Sequence, residues 1–204
     1  ALSRMAADGE ISADNGTYRL TGRLLGRAAR QDESRTPTTR RWTGDWDMAV
    51  VTATGRPASE RTALRRAMLE LHLAQAREGV WLRPANLVHA QPLPRRVQNQ
   101  CLWFESRPSD DPVALARSLW DLDGWAAQAN RLLKALDHAD GLAKGFMVSA
   151  AVLRHLLADP ILPAELLPDD WPGPELRRRY EVFDAGYRAD LRDYALNGAE
   201  EPAG

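Results

Sequence analysis

The last third of the sequence carries apolar residues at a spacing that is typical of one secondary structure. After the sequence WPGP, six apolar or aromatic residues follow at steps of four, three, four, four and three: Leu176, Tyr180, Phe183, Tyr187, Leu191 and Tyr194. These steps place the six on one face of an α-helix, while residues 177–179, all arginine, lie around its polar side. We predict a long amphipathic helix that packs onto the core of its own domain.

Residues 108–197 are predicted to form an all-helical C-terminal domain. Asp111 precedes Pro112, and an acidic cap followed by proline at the first helical position is a typical helix start. One helix is expected to run from there to about Trp120, with two more over residues 123–136 and 141–158. Residues 198–204 are expected to form a loose tail.

The middle of the chain, residues 42–107, alternates between extended and helical patterns. DWDMAVVT, GVWLRPANL and QNQCLWFES are predicted strands, and successive residues from Cys101 to Phe104 alternate between the two faces of the last one. A helix is predicted over residues 59–77, because apolar residues recur there at steps of four and three: Leu64, Met68 and Leu71. Strand, helix, strand and strand make up most of a split βαβ sandwich, so we predict a ferredoxin-like domain in an α+β chain.

The N-terminal region, residues 1–35, is typical of part of a winged helix-turn-helix. Residues 1–7 have the pattern of a helix that Asp8-Gly9 ends, since glycine adopts the left-handed conformation at little cost. Two short extended runs flank Asn15-Gly16, which predicts a tight hairpin; a helix over 21–30 and a polar linker over 31–41 follow. A helix followed by a hairpin matches a recognition helix and its wing, although a helix and hairpin of no special purpose fits these residues equally well.

Charge is distributed unevenly along a chain whose net charge is −1. Residues 1–107 carry seventeen arginines against eleven acids, a net +6, and residues 108–204 carry ten basic against seventeen acidic residues, a net −7. Such asymmetry indicates that one end meets a polyanion, the alternative being a surface whose charge merely fluctuates. Apolar residues make up 44% and charged residues 27%, as in globular proteins.

The sequence carries no sign of export or of a membrane span. It has no run of 18 apolar residues, and its start lacks the apolar segment of a signal peptide. Its single cysteine, Cys101, allows no intrachain disulfide, which fits a reducing compartment. We therefore predict a cytoplasmic protein without a membrane partner.

Catalytic motifs are weak, so we predict no enzyme and no cofactor or metal. The histidines are scattered, with none at metal-ligand spacing: His72, His89, His138 and His155. Cys101 is interpreted as a buried structural thiol, and the acidic pairs at 110–111, 121/123 and 169–170 as helix caps. The alternative is a metal-dependent nuclease with Asp45 and Asp47 on the first strand, although we expect no second acid or histidine on the neighbouring strands.

Taken together, these segments resemble the PaaX family of transcriptional repressors of phenylacetate catabolism. ALSRMAADGEI with YRLTGRLL resembles the end of that family's winged helix, and WTGDWDMAVV with GVWLRPANL resembles its central unit. SLWDLDGWAAQANRLLKAL and LLPDDWPGPELRRRYEVFDAGYR resemble its helical C-terminal domain. The resemblance implies a dimeric repressor of double-stranded DNA that an acyl-CoA such as phenylacetyl-CoA releases from its operator. The chain departs from the family in lacking the first helices of the winged helix.

This interpretation assigns two sets of candidate residues. Those expected to contact DNA, from the recognition helix and the wing, are Ser3, Arg4, Tyr18 and Arg19. An acyl-CoA needs cations for its phosphates and an apolar slot for its acyl group, for which we select Trp81, Arg83, Trp120 and Arg154. Tryptophans more often belong to a core than to a ligand site, which is the alternative for both of them. A ligand-binding module that does not bind DNA is the alternative for the chain.

Overall fold

The computed structural model describes residues 11–14, 17–20, 31–88 and 92–198. The chain divides into two compact units, residues 1–37 and residues 38–204. The predicted helices over residues 1–7 and 21–30 lie outside the described residues.

The first unit contains the predicted hairpin. Strands β1 (Ile11–Asp14) and β2 (Thr17–Leu20) pair antiparallel, with Ile11 opposite Leu20 and Asp14 opposite Thr17. This register leaves two residues between the strands, so the hairpin predicted around Asn15-Gly16 is confirmed.

The predicted linker over residues 31–41 is wrong in its first part, because residues 31–35 are helical. Ser34 Oγ donates to the carbonyl of Gln31 at 2.8 Å, and the amide of Thr36 donates to the carbonyl of Asp32 at 2.9 Å. Glutamine, glutamate and arginine are good helix formers, so a polar segment need not be a loop.

The second unit begins with a four-stranded sheet. Its elements are β3 (Trp46–Val51), α1 (Ala58–Glu70), β4 (Ala74–Arg77), β5 (Val80–Pro84), α2 (Arg95–Gln98) and β6 (Cys101–Ser106). The strands lie in the order β4-β5-β3-β6, and every neighbouring pair is antiparallel. With the helical region that follows, this sheet confirms the predicted α+β class.

The predicted helix over residues 59–77 is too long, since α1 ends at Glu70 and residues 74–77 form a strand. His72 adopts a left-handed φ of 59°, which breaks the helix. The sequence AQAR favours a helix, but pairing of Ala74 and Gln75 with β5 overrides that preference.

One face of the sheet packs on α1. Leu64 and Met68 of α1 contact a core to which the sheet contributes Ala49, Trp81 and Cys101. Burial of each large side chain of this kind stabilises the fold by about 1.5–3 kcal/mol. The predicted alternation along β6 is confirmed, because Cys101 is buried while Leu102 and Phe104 are 56% and 45% exposed on the other face.

The rest of the second unit is helical, as predicted. It contains α3 (Pro112–Leu119), α4 (Leu122–Leu136), α5 (Leu142–Leu156), a 3₁₀ turn (Ala164–Leu166) and α6 (Gly173–Gly198). The carboxylate of Asp111 accepts hydrogen bonds from the amides of Val113 and Ala114, both at 3.2 Å, which confirms the predicted cap. No helix in the described part of the chain is long and apolar enough to cross a bilayer.

The apolar stripe of α6 divides into a buried and an exposed half. Leu176 and Tyr180 are fully buried against α4 and α5, whereas Leu191 and Tyr194 are 40% and 68% exposed. Helices α5 and α6 approach closely, since a β-carbon at Gly145 would lie 2.8 Å from the ring of Tyr187. The prediction that the stripe packs on its own domain therefore holds for the first half of the helix.

A buried polar network connects the sheet to the helical region. Arg83 on β5 donates to the carbonyl of Leu71 at 3.2 Å and to the side-chain oxygen of Asn86 at 3.1 Å. Asn86 Nδ2 donates to the carbonyl of Ile161 at 3.0 Å, and the amide of Ile161 donates to Asp159 Oδ1 at 2.8 Å. Ile161 has a φ of 51°, a left-handed conformation that a β-branched residue adopts at a cost, so the network holds a strained backbone in place.

His155 makes the stability of the helical region sensitive to pH. Its ring stacks on Trp125 with centroids 4.3 Å apart, and burial lowers the pKa of His155 below its ordinary value of 6.5. The unfolded chain therefore binds the proton more readily, so the free energy of unfolding falls as the pH drops below 6.5. Urea titrations between pH 8 and pH 5.5 should show this fall as a slope of the free energy of unfolding against pH, and His155→Gln should reduce that slope. An unchanged slope, or an equal reduction in the exposed control His138→Gln, would contradict this role.

Candidate functional site

The four residues predicted to contact DNA belong to the first unit. Ser3 and Arg4 lie outside the described residues. Tyr18 and Arg19 lie at successive positions of β2, in register with β1. All four assignments stay predictions.

A cleft opens in the second unit beside the edge strand β4. Its volume is about 390 Å³, which lies within the range of small-molecule sites. The lining residues come from α1, from β4 and β5, and from the end of α3: Arg65, Leu69, Leu73, Ala74, Gln75, Arg77, Glu78, Trp81, Leu119 and Trp120. We refer to this set as the cleft.

The cleft brings two of the four predicted effector residues together. Trp81 lies on β5 and Trp120 follows α3, and both line the cleft. Trp81 is 4% exposed and also contributes to the core beneath α1. It is therefore both a core residue and part of the wall of the cleft. Trp120 is half-buried and stacks on Trp46, with ring centroids 6.4 Å apart.

The two predicted arginines lie elsewhere. Arg83 is 1% exposed, and its guanidinium donates to protein oxygens within the buried network described above. Arg154 is exposed on α5 and does not line the cleft. Sequence reasoning selected them as cations near tryptophans. Arg83 does share a face of β5 with Trp81, because the two are two residues apart, but its guanidinium is bound within the buried network and does not line the cleft.

Arg65 and Arg77 provide the cations of the cleft instead. The guanidinium carbon of Arg65 lies 5.7 Å from the ring centroid of Trp81, a cation–π distance. Arg65 also donates to the side-chain oxygen of Gln75 on β4. An arginine held over an aromatic wall, with apolar side chains beside it, can bind an anion that carries an apolar group.

The spacing of residues in α1 could have identified Arg65 as part of an exposed helix face. Arg61, Arg65 and Leu69 are four residues apart, so they lie along one face of that helix. The face is exposed, unlike the buried face that holds Leu64 and Met68. What the sequence did not reveal was that β4 would lie beside it, because residues 74–77 were predicted to be helical.

Asp45 and Asp47 flank the first residue of β3 and belong to no metal-binding group among the described residues. Asp45 accepts from Thr43 Oγ1 at 2.8 Å and from Arg107 Nη2 at 2.8 Å, and these hydrogen bonds lower the pKa of Asp45. Asp47 is half-buried, and desolvation raises its pKa. Glu105 lies opposite Asp47 on β6, so the expectation of no second acid on a neighbouring strand is wrong. Within the described ranges, no three acidic, histidine or cysteine side chains form a group that could hold a metal ion.

Cys101 has the environment of a structural thiol. Its side chain is 7% exposed in the core beneath α1, and burial raises the pKa of the thiol. A raised pKa keeps the thiol protonated and weakly nucleophilic.

Comparisons with known proteins relate the chain to a family and to a solved structure. Residues 120–196 match the profile described as the PaaX-like protein C-terminal domain. The solved structure of the uncharacterized protein Rv0674 from Mycobacterium tuberculosis is similar, with 43% sequence identity and a TM-score of 0.79. The similarity covers 96% of this chain and 82% of that one. A search of curated proteins gives no significant match.

Proposed function

The chain belongs to the PaaX-like family, and from that premise we propose that it is a DNA-binding transcriptional repressor that an acyl-CoA effector releases from its operator. The observation that carries the proposal is the match of residues 120–196 to the C-terminal domain of PaaX-like proteins. In this proposal the chain controls a catabolic pathway and catalyses no reaction.

The proposed domains follow the elements of the chain. Residues 1–35 are the partial winged helix, 42–107 the ferredoxin-like domain, 108–197 the helical domain and 198–204 a tail. The antiparallel hairpin of β1 and β2 supports a wing. The order β4-β5-β3-β6, with a helix before β4 and another before β6, supports the ferredoxin-like assignment.

The DNA-binding step depends on phosphate contacts. A net charge of +6 over residues 1–107 favours binding of a polyanion to this part of the chain. Ser3 and Arg4 would contact base edges or phosphates in the major groove, and Tyr18 and Arg19 would contact the backbone from the wing. Two subunits of a homodimer would place their recognition helices about 34–36 Å apart on one face of the DNA.

Release requires a modest free energy. An effector that favours a dimer with a different helix spacing would weaken operator binding, and a hundredfold effect needs about 2.7 kcal/mol of differential binding. The cleft supports this step, because it combines two tryptophans with two arginines. In this account Trp81 and Trp120 contact the effector, and arginines near these two tryptophans provide the cations.

Replacing Arg4 with alanine tests the DNA-contact assignment. We expect Arg4→Ala to weaken operator binding by about 5- to 150-fold, corresponding to about 1–3 kcal/mol for a lost arginine contact. Arg131→Ala is the control, since Arg131 is exposed on α4 and donates to Gln128 on the same helix. Fluorescence anisotropy with labelled operator DNA measures both affinities. Equal affinities for Arg4→Ala and the unmodified protein would remove Arg4 from the interface.

A further inference from the structure

A second hollow of about 150 Å³ lies on the other side of the side chains that line the cleft around Trp81. Arg65, Gln75, Glu78 and Trp81 line both spaces, so the two adjoin at these side chains. The second hollow adds Arg56 from the β3–α1 loop and Arg61 from α1. We call the combined space the groove.

The two ends of the groove differ in chemistry. The end beside α3 is apolar, with Leu69, Leu119 and Trp120. The end beside the β3–α1 loop carries two arginines, and Arg61 Nη1 donates to the carbonyl of Arg56 at 2.9 Å. The groove is therefore amphipathic along its length, with Arg65 over Trp81 between the ends.

Helix α1 sets the distance between the cationic end and the apolar end of the groove. Arg61, Arg65 and Leu69 occupy successive turns on one face, at an axial rise of about 6 Å per four residues. The cationic and apolar ends are thus separated by about 12 Å along the helix. Leu69 is 52% exposed and lines the cleft.

The charge of the groove favours an anion. Four arginines line it against one acid, Glu78: Arg56, Arg61, Arg65 and Arg77. Arginine forms paired hydrogen bonds with phosphate oxygens. Two neighbouring arginines at one end of the groove can therefore bind different oxygens of one phosphate group.

We propose that the groove binds a phosphate ester that carries an apolar acyl or aryl group. The phosphate lies at Arg56 and Arg61, the middle of the ligand crosses Trp81, and the apolar group enters between Leu69, Leu119 and Trp120. This inference rests on the proposed function, since it assigns the effector a site and an orientation. The same chemistry occurs in acyl-CoA thioesters and in lysophospholipids such as lysophosphatidate.

Calorimetric titration of the chain with phenylacetyl-CoA, coenzyme A and phenylacetate tests the orientation. We expect Arg61→Gln to weaken binding of both phenylacetyl-CoA and coenzyme A at least tenfold. Leu69→Asp should weaken phenylacetyl-CoA to a similar extent and leave coenzyme A within twofold, because coenzyme A lacks the acyl group. Melting temperatures of all variants check that each one folds.

Two matched controls make the result specific to the groove. Arg66→Gln changes an exposed arginine of the same helix that pairs with Glu70 and does not line the groove. Leu102→Asp changes a leucine of similar exposure, 56%, on β6. The site is overturned if the controls weaken binding as much as the groove variants do, or if neither groove variant has an effect.

The outcomes separate this site from the proposed function. A chain that binds operator DNA but none of the phosphate esters, lysophosphatidate included, would overturn the groove and leave the DNA-binding proposal standing. Thioester binding that the groove variants reduce, in a chain without DNA affinity, would support the groove and overturn the repressor. Binding of lysophosphatidate in place of the thioester would support the ligand chemistry and assign it to a lipid.

Discussion

Replacing Arg177 with methionine is expected to lower the free energy of unfolding by about 3–5 kcal/mol, the usual cost of breaking a buried ion pair by removing one partner. Arg177 Nη2 lies 2.8 Å from Asp159 Oδ2, and the two side chains are 17% and 2% exposed. The substitution leaves the Asp159 carboxylate buried without its cation. That carboxylate also accepts a hydrogen bond from the amide of Ile161 at 2.8 Å. Removing the cation should therefore also weaken the buried network that holds the strained backbone of Ile161.

The neighbouring residue provides the control for this prediction. Arg178 follows on the same helix and pairs with Glu175 at 2.6 Å, but both side chains are exposed, at 64% and 45%. Solvent screens such a pair, so Arg178→Met should leave stability nearly unchanged. Urea titrations followed by tryptophan fluorescence compare the two, because Trp125 and Trp171 lie in the helical core. Equal losses would show that burial of the Asp159 pair contributes nothing.

The sequence predicted the elements whose local signals agree with their packing. The alternation in β6, the cap at Asp111 and the hairpin at Asn15-Gly16 are set by residues close together in the chain, and all three are confirmed. The helical region was also predictable, because apolar spacing and helix propensity point to the same structure there.

The errors occurred where tertiary contacts override local preference. AQAR has the composition of a helix, yet it pairs with β5 as an edge strand after the left-handed turn at His72. The end of α6 has the pattern of a packed helix, but packing of α4 and α5 against it does not extend to Tyr194. Neither outcome follows from residue type and spacing.

The residue types that line the cleft were easier to predict from the sequence than the particular arginines. Tryptophan and arginine were the residue types selected for an effector site, and Trp81 and Trp120 line the same cleft. Arg83 was selected with Trp81 and lies on the same face of β5, two residues away, but its guanidinium donates to oxygens of the buried network and does not line the cleft. The arginines beside Trp81 come from α1 and β4, a juxtaposition that depends on the sheet order.

The proposed DNA binding is expected to respond most strongly to salt concentration. If the chain neutralises six or more DNA phosphates, its operator affinity should fall by about a thousandfold or more between 50 and 200 mM salt. The physical reason is release of counterions from the DNA as arginines bind its phosphates. In the proposed homodimer, two copies of the +6 net charge over residues 1–107 would favour contacts on this scale.

The repressor account is tested most directly by measuring DNA affinity against salt concentration. The protein, together with any residues that its gene encodes before Ala1, is titrated onto fragments that it selects from its own genomic DNA and onto shuffled fragments. The account predicts tighter binding to the selected fragments by at least a thousandfold, with the steep salt dependence described above. Equal affinity for selected and shuffled DNA, or an affinity that salt does not change, would contradict it.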